Sequence, residues 1–156
     1  MKYLKVQQDL LKMADARDGW KHRPFNVPWF EADDKIWVIF DGVIGYGIPK
    51  IAFYLDRDKV FGDAVPLNSG EQFIKNATYA DEAEDTHTIL DVVMNDKKMK
   101  LHRFMVKDEA VYVKEEFLKN FELEYSHFTG TKRTAPLYVF EDDNLVGIIF
   151  PVNYKG

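Results

Sequence analysis

Histidines and carboxylates are the residue types in this chain that could perform acid–base chemistry or hold a metal ion. The four histidines, His22, His87, His102 and His127, are scattered along the sequence. Because the chain has no cysteine, a zinc site would need at least three nitrogen or carboxylate ligands that converge. His87 and Asp91 are near each other in sequence, but on a strand they lie roughly 13 Å apart, too far to share an ion. The sequence therefore predicts no metal site and no cofactor.

Pairs of adjacent acidic residues are the other candidates for catalysis: Asp33-Asp34, Asp81-Glu82 and Asp142-Asp143. Neighbouring side chains diverge on an extended chain, so an acid–base pair would form only where the fold builds a cleft around it. Small acidic residues in pairs are typical of solvated turns. We therefore expect a protein that is not an enzyme. A hydrolase whose carboxylates converge only in the folded chain is an alternative.

An aromatic segment with two prolines is the best candidate for contact with a partner. Aromatic side chains dominate the binding energy of many interfaces, and this segment also carries basic residues at 21–23. We predict that it binds a protein or peptide partner through Trp20, Phe25, Trp29 and Phe30.

A cluster of carboxylates in the middle of the chain supports a different hypothesis. Asp81, Glu82, Glu84 and Asp85 lie within five residues, and a dense negative surface can bind a basic one. An acidic decoy that inhibits a basic host protein is therefore a second alternative function.

Length and composition limit the class of protein. The chain has 156 residues, of which 46% are hydrophobic, and a formal charge of −5. This length favours a single domain over 1–156, and the negative charge disfavours long-range attraction to nucleic acid. The start of the chain has charged residues where an export signal needs an apolar stretch, and the apolar runs 36–40 and 146–152 are far below the roughly 20 residues that span a bilayer. We expect a cytoplasmic protein without membrane contact.

Hydrophobic periodicity in the first half predicts two helices and a hairpin. Apolar residues recur at helical spacing over 4–14, and again over 70–81, where the acidic run 81–85 is expected to fray the helix end. Ile36–Phe40 is strongly strand-forming, and Asp41-Gly42 predicts a tight turn into a second strand over 43–48. Residues 51–55 form a third apolar run that predicts another strand.

The second half predicts strands around one short helix. Runs over 86–94 and 99–106 flank a turn at Asn95-Asp96, and a strand end at 110–113 precedes a helix over 114–121. Further strands are predicted for the ranges 123–128, 136–141 and 145–154. The expected fold is α+β, with a mostly antiparallel sheet and two or three short helices.

Three short phrases within this order of elements are similar to one domain of the bacterial sliding clamp, the DNA polymerase III beta subunit. The phrases are Val38–Gly42 leading to Ile48-Pro49, Val113–Leu118, and the apolar-proline ending Gly147–Val152. The resemblance implies a DNA-clamp-like domain, with a helix before a strand pair that carries an aspartate-glycine turn, and a second helix after it.

The clamp resemblance also implies partners. The family forms rings of such domains around duplex DNA, with helices lining the hole and an outer pocket for a short peptide from polymerases. The lining helices correspond here to 7–16 and 114–121, which makes Lys12, Lys114 and Lys119 candidates for DNA contact. This chain has the length of one domain, so a ring requires self-association. Otherwise the domain acts outside a ring, as a phage or mobile-element relative in DNA replication.

Overall fold

The computed structural model describes residues 1–18, 28–40, 43–57 and 70–155, with the backbone alone for 13–18. The helices are α1 (Tyr3–Asp18) and α2 (Gly70–Tyr79). The strands are β1 (Trp29–Ala32), β2 (Lys35–Phe40), β3 (Ile44–Pro49), β4 (Asp81–Met94), β5 (Lys97–Val106), β6 (Glu109–Lys114), β7 (Ser126–Gly130), β8 (Leu137–Glu141) and β9 (Asn144–Ile149). Short 3₁₀ helices cover Lys50–Ala52, Glu115–Asn120 and Leu123–Tyr125. The predicted α+β class is confirmed.

The described strands form one antiparallel sheet with the order β1-β2-β3-β9-β8-β7-β4-β5-β6. Two of its hairpins have two-residue turns in which both residues have positive φ, Asp33-Asp34 and Asn95-Asp96; this geometry matches the twist of the adjoining strands. After β9, the Val152 amide donates to the Tyr112 carbonyl at 2.8 Å. This isolated bridge joins the edge strand β6 to the segment that follows β9, a central strand of the sheet.

Both faces of the first half of the sheet are covered. On one face, Val6 and Leu10 of α1 pack with alternate residues of β2, such as Val38, in the larger core cluster. On the other face, Trp37 stacks on Phe30 with ring centres 5.8 Å apart, and α2 packs against them. Period-two alternation explains why β2 is apolar throughout, since each face of this strand meets a helix.

The predicted hairpin and middle helix are confirmed. Trp37 lies opposite Gly47, and Ile39 lies opposite Gly45; the turn residues Asp41 and Gly42 are outside the described residues. A Cβ on Gly47 would lie 2.6 Å from the Trp37 ring, so this glycine is required by the close approach of the indole. Helix α2 coincides with the predicted helix to within two residues at its end.

Four predictions about local structure differ from the fold. Residues 51–55 are not a strand: Pro49 ends β3, a 3₁₀ turn follows, and the Ile51 side chain is 99% exposed. The buried Gln7 side chain binds this segment instead, by donating to the Ala52 carbonyl at 2.9 Å and accepting from the Tyr54 amide at 2.9 Å.

The acidic run is the second wrong prediction, since residues 81–85 begin β4 and do not fray α2. Pairing with both β7 and β5 fixes them as a strand. Similarly, the helix expected over 114–121 is a six-residue 3₁₀ helix, and the strand expected from Leu123 begins only at Ser126, after a 3₁₀ turn.

Candidate partner-binding site

The hairpin β4–β5 extends beyond the rest of the sheet. Strand β7 pairs with β4 only at residues 81–83, and β6 pairs with β5 only from Leu101 onward. Among the described residues, 91–94 and 97–100 therefore pair only with each other, and 88–90 pair with β5 alone. We call residues 88–100 the ribbon. Its paired strands extend over about 20 Å. Isolated two-stranded hairpins are marginal in water, so the ribbon depends on its root and on what packs against its faces.

Apolar side chains occur on both faces of the ribbon. Ile89 and Val93 are 47% and 66% exposed, and the register places them on the same face as Lys98 and Lys100. On the opposite face, Val92 lies across from Met99, and both are half-buried. Exposed apolar residues on a protruding element are typical of interaction surfaces.

A groove of about 890 Å³ lies where the ribbon meets the end of β6. Val92, Val93 and Met99 give it an apolar part, and Lys97, Lys98, Lys100 and Lys114 lie along it with three carboxylates.

Two of these carboxylates are already paired. Asp91 contacts Lys100 at 3.3 Å, and Glu115 contacts His102. In the described part of the chain, Lys97 and Lys98 form no ion pair, so the groove has an excess of positive charge although the whole protein is acidic.

The root of the ribbon is a β-bulge between Asp85 and Thr88. His87 within it has a φ of 55°, and its amide donates to the Asp85 carboxylate at 2.7 Å. The Thr86 hydroxyl donates to the Arg103 carbonyl at 2.7 Å. A bulge increases local twist and redirects a strand, so these contacts set the direction in which the ribbon leaves the sheet.

A buried histidine joins two strands and the 3₁₀ helix that follows β6, beside this bulge. His102 on β5 is 5% exposed. Its Nδ1 lies 2.6 Å from the Glu115 carboxylate, and its Nε2 contacts the Asp85 carboxylate. The ring also stacks on Phe104, with centres 4.9 Å apart. We call Asp85, His102 and Glu115 the root triad, because it joins β4, β5 and the start of the 3₁₀ helix at the groove.

The root triad is arranged to hold structure. A general base needs a ring nitrogen with a free lone pair directed at its substrate, whereas both nitrogens of His102 face carboxylate oxygens. Both ring nitrogens are therefore engaged by side chains of the protein, and hydrogen bonds that involve a charged group are the stronger kind. Sequence spacing did not reveal this triad, because its three members come from β4, β5 and the 3₁₀ helix after β6. The only local signal is a histidine beside Leu101 in the second half of β5.

The predicted aromatic surface is divided by the fold. Phe30 is 3% exposed and lies in the core, stacked on Trp37 and on Phe73 at 6.2 Å, so its ring is not accessible to a partner. Trp29 is half-buried, with the Arg57 guanidinium 5.9 Å from its ring centre. Trp20 and Phe25 lie outside the described residues.

An ion-pair cluster holds the arginine that covers Trp29. Glu31 contacts both Arg57 and Lys50 at 3.0 Å. The hydrogen bond from Lys50 is the largest cause that lowers the pKa of the Glu31 carboxyl, and the nearby charges of Lys50 and Arg57 add to it. All three side chains are more than a third exposed, so this cluster positions Arg57 and adds little stability.

The four predicted carboxylates do not form one surface. Strand alternation places Asp81 and Asp85 on the same face as the buried Ala83, and Glu82 and Glu84 on the other. Asp81 contacts Lys107 at 3.2 Å, and Asp85 belongs to the root triad. Only Glu82 and Glu84 are exposed without an ion pair in the described residues.

The three predicted lysines also lie in different surroundings. Lys12 and Lys119 are exposed on α1 and on the 3₁₀ helix after β6, two elements that contact each other where Asn120 donates to Asp9 at 3.2 Å. Lys114 is half-buried at the groove, with its Nζ 5.8 Å from the Phe117 ring centre.

No protein-family model, curated protein or solved structure matches this chain. Among the described residues, no three side chains of the metal-binding types come together as ligands. None of the helices in those residues combines the length and apolar character needed to cross a bilayer.

Proposed function

We propose that this protein is a non-enzymatic domain that acts through protein contacts, and that the ribbon and its groove bind an extended acidic and apolar peptide of a partner protein. The observation that carries this proposal is the combination of exposed Ile89 and Val93 with a groove in which Lys97 and Lys98 have no ion-pair partner among the described residues.

The edges of the ribbon support an extended occupant. Residues 88–94 carry one charged side chain, Asp91, so this edge can accept another strand by backbone pairing. The opposite edge carries Lys97, Lys98 and Lys100, and lysines on an edge disfavour pairing between like strands. An acidic peptide suits the lysine edge at the groove, because it can pair with the β5 backbone beyond the end of β6 and bring carboxylates to the lysines.

The test measures binding of a fluorescein-labelled ten-residue peptide of alternating aspartate and leucine by fluorescence anisotropy. The double variant Lys97→Glu/Lys98→Glu is expected to weaken binding at least about tenfold, because it reverses two charges at the groove. The matched control is Lys12→Glu/Lys119→Glu, which changes the net charge equally on another surface and is expected to bind almost normally.

Equal losses in the two double variants would show that only total charge matters and would contradict the proposal. Size-exclusion chromatography with light scattering tests whether the occupant of the ribbon is instead a second copy of this chain. A dimer that Val93→Asp converts to a monomer would mean that a second copy, and not a partner peptide, covers the ribbon.

The clamp-like assembly stays a prediction. So do the role in bacterial or phage DNA replication and the cytoplasmic location. The mass in solution distinguishes a ring from a monomer. Affinity for duplex DNA must fall steeply with salt if Lys12, Lys114 and Lys119 contact phosphates. Weak binding that salt does not change would remove DNA from the proposal.

A further inference from the structure

A second concave site lies far from the groove along β6. It has a volume of about 750 Å³, within the range of small-molecule sites. Three parts of the chain form its walls: the β5–β6 turn, the β7–β8 loop, and the segment after β9. We call it the tyrosine cleft, after Tyr112 and Tyr154 in its lining.

The walls of the tyrosine cleft are held together by contacts that leave its basic side chains available. The Arg133 amide donates to the Glu109 carboxylate at 2.8 Å, which fixes the β7–β8 loop against β6. The Val152–Tyr112 bridge holds the third wall. Lys132, Arg133 and Lys155 line the cleft, and their side chains form no ion pair with any described residue.

The aromatic corner of the cleft adds a flat apolar surface. Tyr112 and Tyr154 meet edge to face with ring centres 5.0 Å apart. Tyr112 is 9% exposed, whereas Tyr154 is only half-buried. Tyr154 is therefore the ring that a ligand can reach, and the buried Tyr112 fixes its orientation.

We propose that the tyrosine cleft binds a mononucleotide. Three unpaired cations suit a phosphate group, for which arginine and lysine are the usual partners. An accessible tyrosine ring suits a nucleobase, because any of the bases can stack on an aromatic side chain. The carboxylates of Asp108 and Glu109 on the same walls are acceptors for sugar hydroxyls or a base amino group. This proposal is independent of the peptide groove.

Isothermal titration calorimetry with AMP, adenosine and inorganic phosphate as separate probes tests the proposal. AMP is expected to bind more tightly than either fragment. Lys132→Ala/Arg133→Ala is expected to weaken AMP and phosphate at least about tenfold, since two phosphate contacts are lost. The control Lys97→Ala/Lys98→Ala removes the same charge at the groove and is expected to leave AMP binding unchanged.

The base contact has its own readout in the unmodified protein. Ring proton signals of Tyr154 in NMR spectra are expected to shift on addition of AMP or adenosine and to stay in place on addition of phosphate. Phosphate that binds as tightly as AMP, with Tyr154 signals unmoved by AMP, would overturn the nucleotide assignment. Undetectable AMP binding, or equal AMP affinity in the two double variants, would overturn the site itself.

Discussion

Replacement of His102 by phenylalanine tests the structural role of the root triad most directly. Phenylalanine retains an aromatic ring beside Phe104 but removes both nitrogen contacts, so Asp85 and Glu115 then face an apolar ring. A hydrogen bond to a charged group contributes about 1.5–3 kcal/mol, and two are lost. The Asp85 and Glu115 side chains keep 21% and 31% exposure, so water replaces part of the loss. We expect the free energy of unfolding to fall by about 2–4 kcal/mol.

Urea denaturation followed by tryptophan fluorescence measures this loss at neutral pH. His127→Phe is the matched control: His127 stacks on Phe140 with ring centres 4.8 Å apart, is exposed, and has no carboxylate contact in the described residues. The control is expected to change the free energy of unfolding by less than about 0.5 kcal/mol.

A double-mutant cycle with Glu115→Gln separates the triad from simple packing. Removal of the Glu115 charge leaves one fewer desolvated carboxylate beside the new phenylalanine. The double variant is therefore expected to be more stable than the sum of the two single losses by at least about 1 kcal/mol. Losses that add within error, or a His102→Phe variant as stable as the control, would refute the root triad as an energetic unit.

Three other measurements test the packing and the charges. Gly147→Ala places a Cβ 2.4 Å from the Phe121 ring, and Phe121 is only 3% exposed. The urea midpoint should fall by the equivalent of about 1–3 kcal/mol, and an unchanged midpoint would contradict this packing. Burial raises the pKa of Tyr46, so the folded chain keeps a proton that the unfolded chain releases above about pH 10. The contribution of this group to the free energy of unfolding is complete below pH 10 and is lost as the pH rises above it. Tyr46→Phe should therefore reduce the alkaline decline of the free energy of unfolding by up to about 1.4 kcal/mol per pH unit. Equal slopes in the variant and the unmodified protein would contradict the burial. Because the pKa of Glu31 is lowered, its contribution to the free energy of unfolding is present above the usual carboxyl pKa and is lost as the pH falls. Lys50→Ala should raise the pKa of Glu31 in an NMR titration. An unchanged titration curve would show that Lys50 is not the cause.

The root triad also determines how the groove relates to the sheet. Glu115 is both a member of the triad and part of the groove lining. Asp85 lies at the bulge from which the ribbon leaves the sheet. A variant without the triad is therefore informative about function as well as stability, because its groove should be less well ordered while Lys97 and Lys98 remain in place.

Local patterns in the sequence determined much of the fold. The β-branched and aromatic run Ile36–Phe40, followed by a turn signal, predicted the β2–β3 hairpin, and the turn residues Asn95-Asp96 predicted the longer β4–β5 hairpin. Apolar spacing predicted α1 and α2. These elements depend on interactions between residues close in sequence, so one segment contains the information that specifies each of them.

The tertiary structure alone decided which residues meet. His102 contacts Glu115 and Asp85, thirteen and seventeen residues away, and no spacing rule brings those three together. Residues 81–85, which the sequence predicted as a fraying helix end, form a strand because they pair with β5 and β7. Their carboxylates therefore lie on two faces of the sheet. Burial against Trp37 and α2 removed Phe30 from the predicted partner surface. The ribbon exists because β6 and β7 stop short of it, and strand pairing of that kind is set by long-range register, which a single sequence does not contain.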